Sequence, residues 1–102
     1  MKEFKDFIEK LRTKRKMFVQ GDSFNDLCNF IIGYSCAVEV FTNQKPDFVF
    51  NNWLMNEKIK KNTNTYWPDN IYELANGNDA LAEKMLFDLL DKFFKRMDNP
   101  TI

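Results

Sequence analysis

Residues 23–41, "SFNDLCNFIIGYSCAVEVF", hold the clearest helical signal in the chain. Leu27, Ile31, Tyr34 and Val38 recur at helical spacing and make one stripe, which Phe24, Cys28, Ile32 and Cys36 widen. Ser23 stands where its hydroxyl can accept from the free N–H groups of the first turn. Asp26, three residues on, completes a pattern like a capping box. A helix apolar over so much of its circumference is expected to be central. Gly33 inside it costs about 1 kcal/mol relative to Ala, so a neighbouring helix is expected to approach closely there.

Helical spacing continues on both sides of this stretch. Phe4, Phe7, Ile8 and Leu11 predict an amphipathic helix over residues 2–13, and "TKRKMFVQGD" reads as a connector. Pro46 and Asp47 form a first-turn pair that opens a third helix. Its apolar positions are Phe50, Trp53, Leu54 and Ile59, with Trp53 expected in the core, and it runs out in the Lys/Asn-rich segment to Asn64. "YWPDNIYELANGND" predicts a short fourth helix from Pro68 to Asn76-Gly77, with Ile71, Leu74 and Ala75 inward. Asp79 is expected to cap a last helix over 80–97, whose stripe is Ala82, Leu86, Leu89, Leu90, Phe93, Phe94 and Met97. The expected fold is all-α, a single compact domain of about five helices over residues 1–102.

Composition supports that expectation. A chain of 102 residues makes one domain and buries roughly two-thirds of its unfolded surface. It is 44% hydrophobic with eleven Phe, while three Gly and three Pro leave little room for the turns of an all-β fold. No apolar run approaches the ~20 residues of a membrane span. "MKEFKDFIEK" carries charge where a signal peptide needs an apolar stretch, so a cytoplasmic location is expected. Cys28 and Cys36 would stand about 12 Å apart on one helix, too far for a disulfide, and are expected as core thiols.

Much chemistry is absent from the residue types themselves. The chain has no histidine, which removes Ser-His and Cys-His pairs and the commonest metal ligand. Two cysteines on one helix make no zinc site, and "NGNDALAEKM" lacks the glycine and the twelfth-position Glu of a calcium loop. Glycines 21, 33 and 77 form no phosphate loop. Neither a cofactor nor a metal nor catalysis is expected.

Charge is neutral in total and polarised in arrangement. The first sixteen residues hold seven bases and three acids; Asp69 to Asp91 hold six carboxylates and one base, Lys84. Lys10 to Lys16 place five bases in seven residues, a local pattern able to grip phosphates, although a pI near 6.2 is low for a nucleic-acid binder. In the last helix Asp88 and Asp91 fall opposite the apolar stripe and Glu83 on its border. Phe87 lies at the stripe's edge between Glu83 and Asp91, where an aromatic can anchor a protein partner.

The order of landmarks, "FIEKLRTKRKMFV", "SFNDLCNFIIGYSCA", "FNNWL", "YWPDNIYEL" and "FDLLDKFF", resembles a group of small bacterial immunity proteins encoded beside polymorphic toxins, such as those of contact-dependent growth inhibition. The matching positions are Arg15, Met17 and Phe18, then Gly33 and Tyr34, Trp53, and Leu89, Leu90 and Phe93; they are architectural in character. Lys16 and Phe18 stand where the group has Pro and Tyr. The resemblance implies a non-catalytic protein that binds and silences one cognate toxin domain, usually a nuclease. A nuclease active site is basic, so an acidic surface can occlude it as a phosphate mimic and also speed the encounter. Glu73, Asp79, Glu83, Phe87, Asp88 and Asp91 are the expected toxin-binding residues. The alternative is a small helical regulatory or adaptor domain that touches nucleic acid through Lys10 to Lys16.

Overall fold

Apolar residues at helical spacing, broken by prolines and left-handed turn residues, give an all-α molecule. A computed structural model describes residues 1–59 and 65–99. Among these, the α-helices are α1 (Lys2–Thr13), α2 (Arg15–Phe18), α3 (Phe24–Thr42), α4 (Pro46–Trp53), α5 (Trp67–Leu74) and α6 (Asp79–Asp98), and a π-helical turn, Leu54–Ile59, prolongs α4. The all-α single domain is as expected. The one-turn helix α2 lies inside the expected connector, and the expected run-out of the third helix to Asn64 lies outside the described residues.

Local chemistry explains the boundaries. Ser23 Oγ accepts from the Asp26 N–H at 3.0 Å, and α3 ends at Asn43 in the left-handed region (φ 60°). Proline occupies the first turn of both α4 and α5, where its missing N–H costs nothing. Asn76 (φ 53°) and Gly77 (φ 74°) reverse the chain after α5. The cap of α6 is Asn78, whose side chain accepts from the Leu81 N–H at 2.9 Å. Asp79 was the expected cap; it is instead the first residue of the helix, and its carboxylate points across to α3.

α6 packs against α3, α4 and α5, and its buried stripe, Ala82, Leu86, Leu90, Phe93 and Phe94, is the spine of the core. Phe50 meets Phe93 (centroids 5.4 Å apart, 74°) and Trp67 (5.7 Å, 73°) edge to face, the arrangement that aromatic quadrupoles favour. α1 contributes Phe4, Ile8 and Leu11. Trp53 is buried, as expected.

A buried polar hub ties three helices together. Asp47 is fully buried; its Oδ2 accepts from the Tyr66 hydroxyl at 2.8 Å and the Trp67 indole N–H at 3.0 Å, and its own N–H donates to Ser35 Oγ at 2.8 Å. Burial and this bond to Asp47 hold the Tyr66 hydroxyl well above the usual tyrosine range.

Four expectations about packing fail. Cys28 is buried, but Cys36 is exposed. Nothing lies within 4 Å of where a Cβ on Gly33 would stand, so no helix approaches there. α3 is covered on one side only: its outward side exposes Val40 and, at 88% exposure, Phe41. Leu74, expected inward, is exposed at the end of α5. Apolar composition marked these positions, but each points away from its neighbours.

Candidate functional site

Most of the acid excess is accounted for by local geometry. Asp69 and Asp79 sit in the first turns of α5 and α6, where a carboxylate complements the positive end of the helix dipole. Asp79 Oδ1 also accepts from the Phe24 N–H at 2.9 Å, joining the start of α6 to the start of α3. Glu83 Oε1 accepts from Arg15 Nε at 2.8 Å in a largely buried pair, and the same guanidinium donates to the Gly21 and Ser23 carbonyls at 2.9 and 3.2 Å. Gly21 turns the chain at φ 90°, a conformation that side-chain-bearing residues rarely adopt, so this tight turn requires glycine.

Two turns further along α6, Asp91 Oδ1 accepts from Arg12 Nη2 at 2.7 Å. Arg12 also donates to the Phe87 carbonyl at 3.2 Å, and its guanidinium lies 5.0 Å from the centre of the Phe87 ring. The hydrogen bond to Asp91 holds Arg12 above its ordinary pKa. The half-buried Phe87 is therefore capped by a cation–π contact. Beneath this region the Cys28 thiol is pushed far up, first by burial and then by the charges of Asp69 and Glu83.

The six expected residues thus divide. Glu83, Phe87 and Asp91 are engaged by the N-terminal segment, and Asp79 by α3. Glu73 and Asp88 are exposed and make no ion pair among the described residues. The same seam changes the reading of the basic run: Arg12 and Arg15 are structural ties, which leaves Lys10, Lys14 and Lys16 exposed.

An open cleft of about 330 Å³ lies where the first turns of α3, α5 and α6 meet. Phe24, Asn25, Asp69, Tyr72 and Asp79 shape it, and no base is among its described lining residues. Tyr72 is 40% exposed, and its ring lies parallel to Phe24 (centroids 6.0 Å apart, 8°), so it is backed by an aromatic while remaining open to solvent. Asp69, Tyr72 and Glu73 are at i, i+3 and i+4, one exposed face of α5. Sequence reasoning counted Asp69 only as charge and missed Tyr72. The i, i+3, i+4 spacing of two acids and an aromatic was the available signal.

Among the described residues no helix is long and apolar enough to cross a membrane. Comparison with protein-family models, curated proteins and solved structures gives no match to this chain.

Proposed function

We propose that the chain is a non-catalytic immunity protein of the bacterial cytoplasm, which neutralises a cognate toxin domain by laying its acid-lined α3/α5/α6 cleft on the toxin's basic surface. The observation that carries this reading is an exposed Tyr72, backed by the Phe24 ring, between Asp69 and Asp79, in a cleft with no lining base among the described residues. An exposed tyrosine makes a strong anchor, and carboxylates around it reject acidic partners and attract basic ones. A nuclease-type toxin supplies such a basic surface, because its active site must hold phosphates. Glu73 and Asp88 extend the acidic rim. Glu83, Phe87 and Asp91 support it indirectly, since they hold Arg12 and Arg15 away from solvent.

Protection of growth tests this directly. A toxin domain identified from the neighbouring reading frame is expressed with the wild-type protein or with the double variant Asp69→Lys, Tyr72→Ala. Wild type is expected to permit growth and the variant, still helical by circular dichroism, to lose protection. Full protection by the folded variant would place the toxin on another face.

A further inference from the structure

At the opposite end of α6 the charge reverses. Trp53, Lys58, Lys92, Lys95, Arg96 and Asn99 line an open cleft of about 400 Å³. Lys92, Lys95 and Arg96 are at i, i+3 and i+4, so they share one face of α6. Lys58 comes from the π-helical turn, its Nζ 5.6 Å from the Trp53 ring centre. Arg96 Nε meets Glu57 at 3.3 Å; Asp91 and Asp98, the other carboxylates of this part of α6, pair with Arg12 and Lys5. Bases in a last helical turn complement the dipole, which accounts for Lys95, Arg96 and Lys58 but not for Lys92.

Two further observations point to a ligand. Trp53 is only 6% exposed, and its buried indole N–H has no acceptor among the described residues. Native structures rarely leave such a donor unmatched. Trp53 is also the last residue before the π-helical turn Leu54–Ile59, and π-helical turns are rare and frequent at functional sites. The described lining is one-sided: three ammonium groups and a guanidinium, with the Asn99 amide as the one described lining side chain that can accept. The volume is that of a small-molecule site. The Trp53 ring and the lysine stems add an apolar wall.

We propose that this cleft binds a small organic phosphate of nucleotide size, its phosphates held by Lys58, Lys92 and Lys95 and its body lying along the Trp53 wall. The site is independent of the acid-lined cleft and of the toxin reading.

The test is a ¹H–¹⁵N NMR titration that follows the indole N–H signals of Trp53 and Trp67, with inorganic pyrophosphate and ATP as probes at constant ionic strength. A saturable shift of the Trp53 indole signal is expected with ATP, while that of Trp67, bonded to Asp47, stays in place. Lys92→Gln, Lys95→Gln should weaken ATP binding by about tenfold or more, and Lys14→Gln, Lys16→Gln should leave it unchanged. Saturation by pyrophosphate as well would assign recognition to the phosphates; saturation by ATP alone would assign part of it to the wall. No saturable Trp53 shift, or a shift indifferent to the Lys92/Lys95 variant, would overturn the proposal. A short oligoribonucleotide that binds at least about tenfold more tightly than ATP would overturn the small-molecule assignment.

Discussion

The two halves of α6 make opposite use of charge. From Asp79 to Asp91 the helix is acidic, and three of its carboxylates are engaged by partners within the molecule, the Phe24 N–H, Arg15 and Arg12. From Lys92 onward it is basic, and Lys92, Lys95 and Arg96 line an open cleft. A count along the chain marks the first half as the charged surface, whereas the fold spends much of that charge on holding α1 and α2 in place. Charge becomes a binding surface only where packing leaves it facing solvent, and for the acids that is chiefly the neighbouring face of α5.

The largest test of this picture concerns what both halves share. Phe93 is fully buried and touches Phe50, Trp53 and Phe94. Phe93→Ala should cost about 3–5 kcal/mol in chemical denaturation, and Trp53→Ala a similar amount. A loss under about 1 kcal/mol at Phe93 would mean that α6 is not the spine of the core.

The next effect separates the halves. Arg15→Gln breaks a largely buried ion pair and frees two carbonyls, so it should lower stability by about 1–3 kcal/mol. Lys92→Gln, in the basic half, should change stability by no more than about 0.5 kcal/mol. Equal effects would erase the distinction drawn here. The reading of residues 13–22 as a connector is refined by the same geometry, because Arg15, alone of Lys14, Arg15 and Lys16, is tied in.

A smaller effect lies beneath the acidic half. The Cys28 thiol is raised in the folded state, so its contribution to stability is complete below the ordinary thiol pKa of about 8.5 and is lost as pH rises above it. Tyr66, also raised, adds a further decline above about pH 10. Denaturation midpoints between pH 8 and 10 should therefore fall with rising pH in the wild type and fall less steeply in Cys28→Ala. Identical slopes would remove the burial and the neighbouring Asp69 and Glu83 charges as a cause.

The fold was legible in the sequence because its signals are local. Spacing marked Phe4, Ile8 and Leu11, the Ser23 cap, the proline starts and the Asn76-Gly77 turn, and each depends on near neighbours in the chain. What was not legible depends on residues distant in sequence. Arg15 and Glu83 are 68 residues apart, and Arg12 and Asp91 are 79 apart, so neither pairing has a signature in spacing. Asp47 reads as a helix-start acid and is also the buried acceptor for Tyr66 and Trp67. The outward turn of Cys36 and Phe41 is hidden for a related reason: composition shows that a helix is apolar on most sides, not which sides find a partner. Of the expected toxin-binding set, Glu73 and Asp88 remain openly available, and Tyr72 and Asp69 join them only once α3, α5 and α6 are brought together.

The central claim, that the α5 side of the acid-lined cleft is the partner-binding surface, is tested most directly by calorimetric titration of the cognate toxin domain at low salt. Wild type, Asp69→Lys with Tyr72→Ala, and Lys92→Gln with Lys95→Gln are compared. The account predicts that the first variant weakens binding by about a hundredfold, the scale expected for losing an aromatic anchor and a charge, while the second binds as wild type does. Undiminished affinity in the Asp69/Tyr72 variant, with its fold intact, would contradict it.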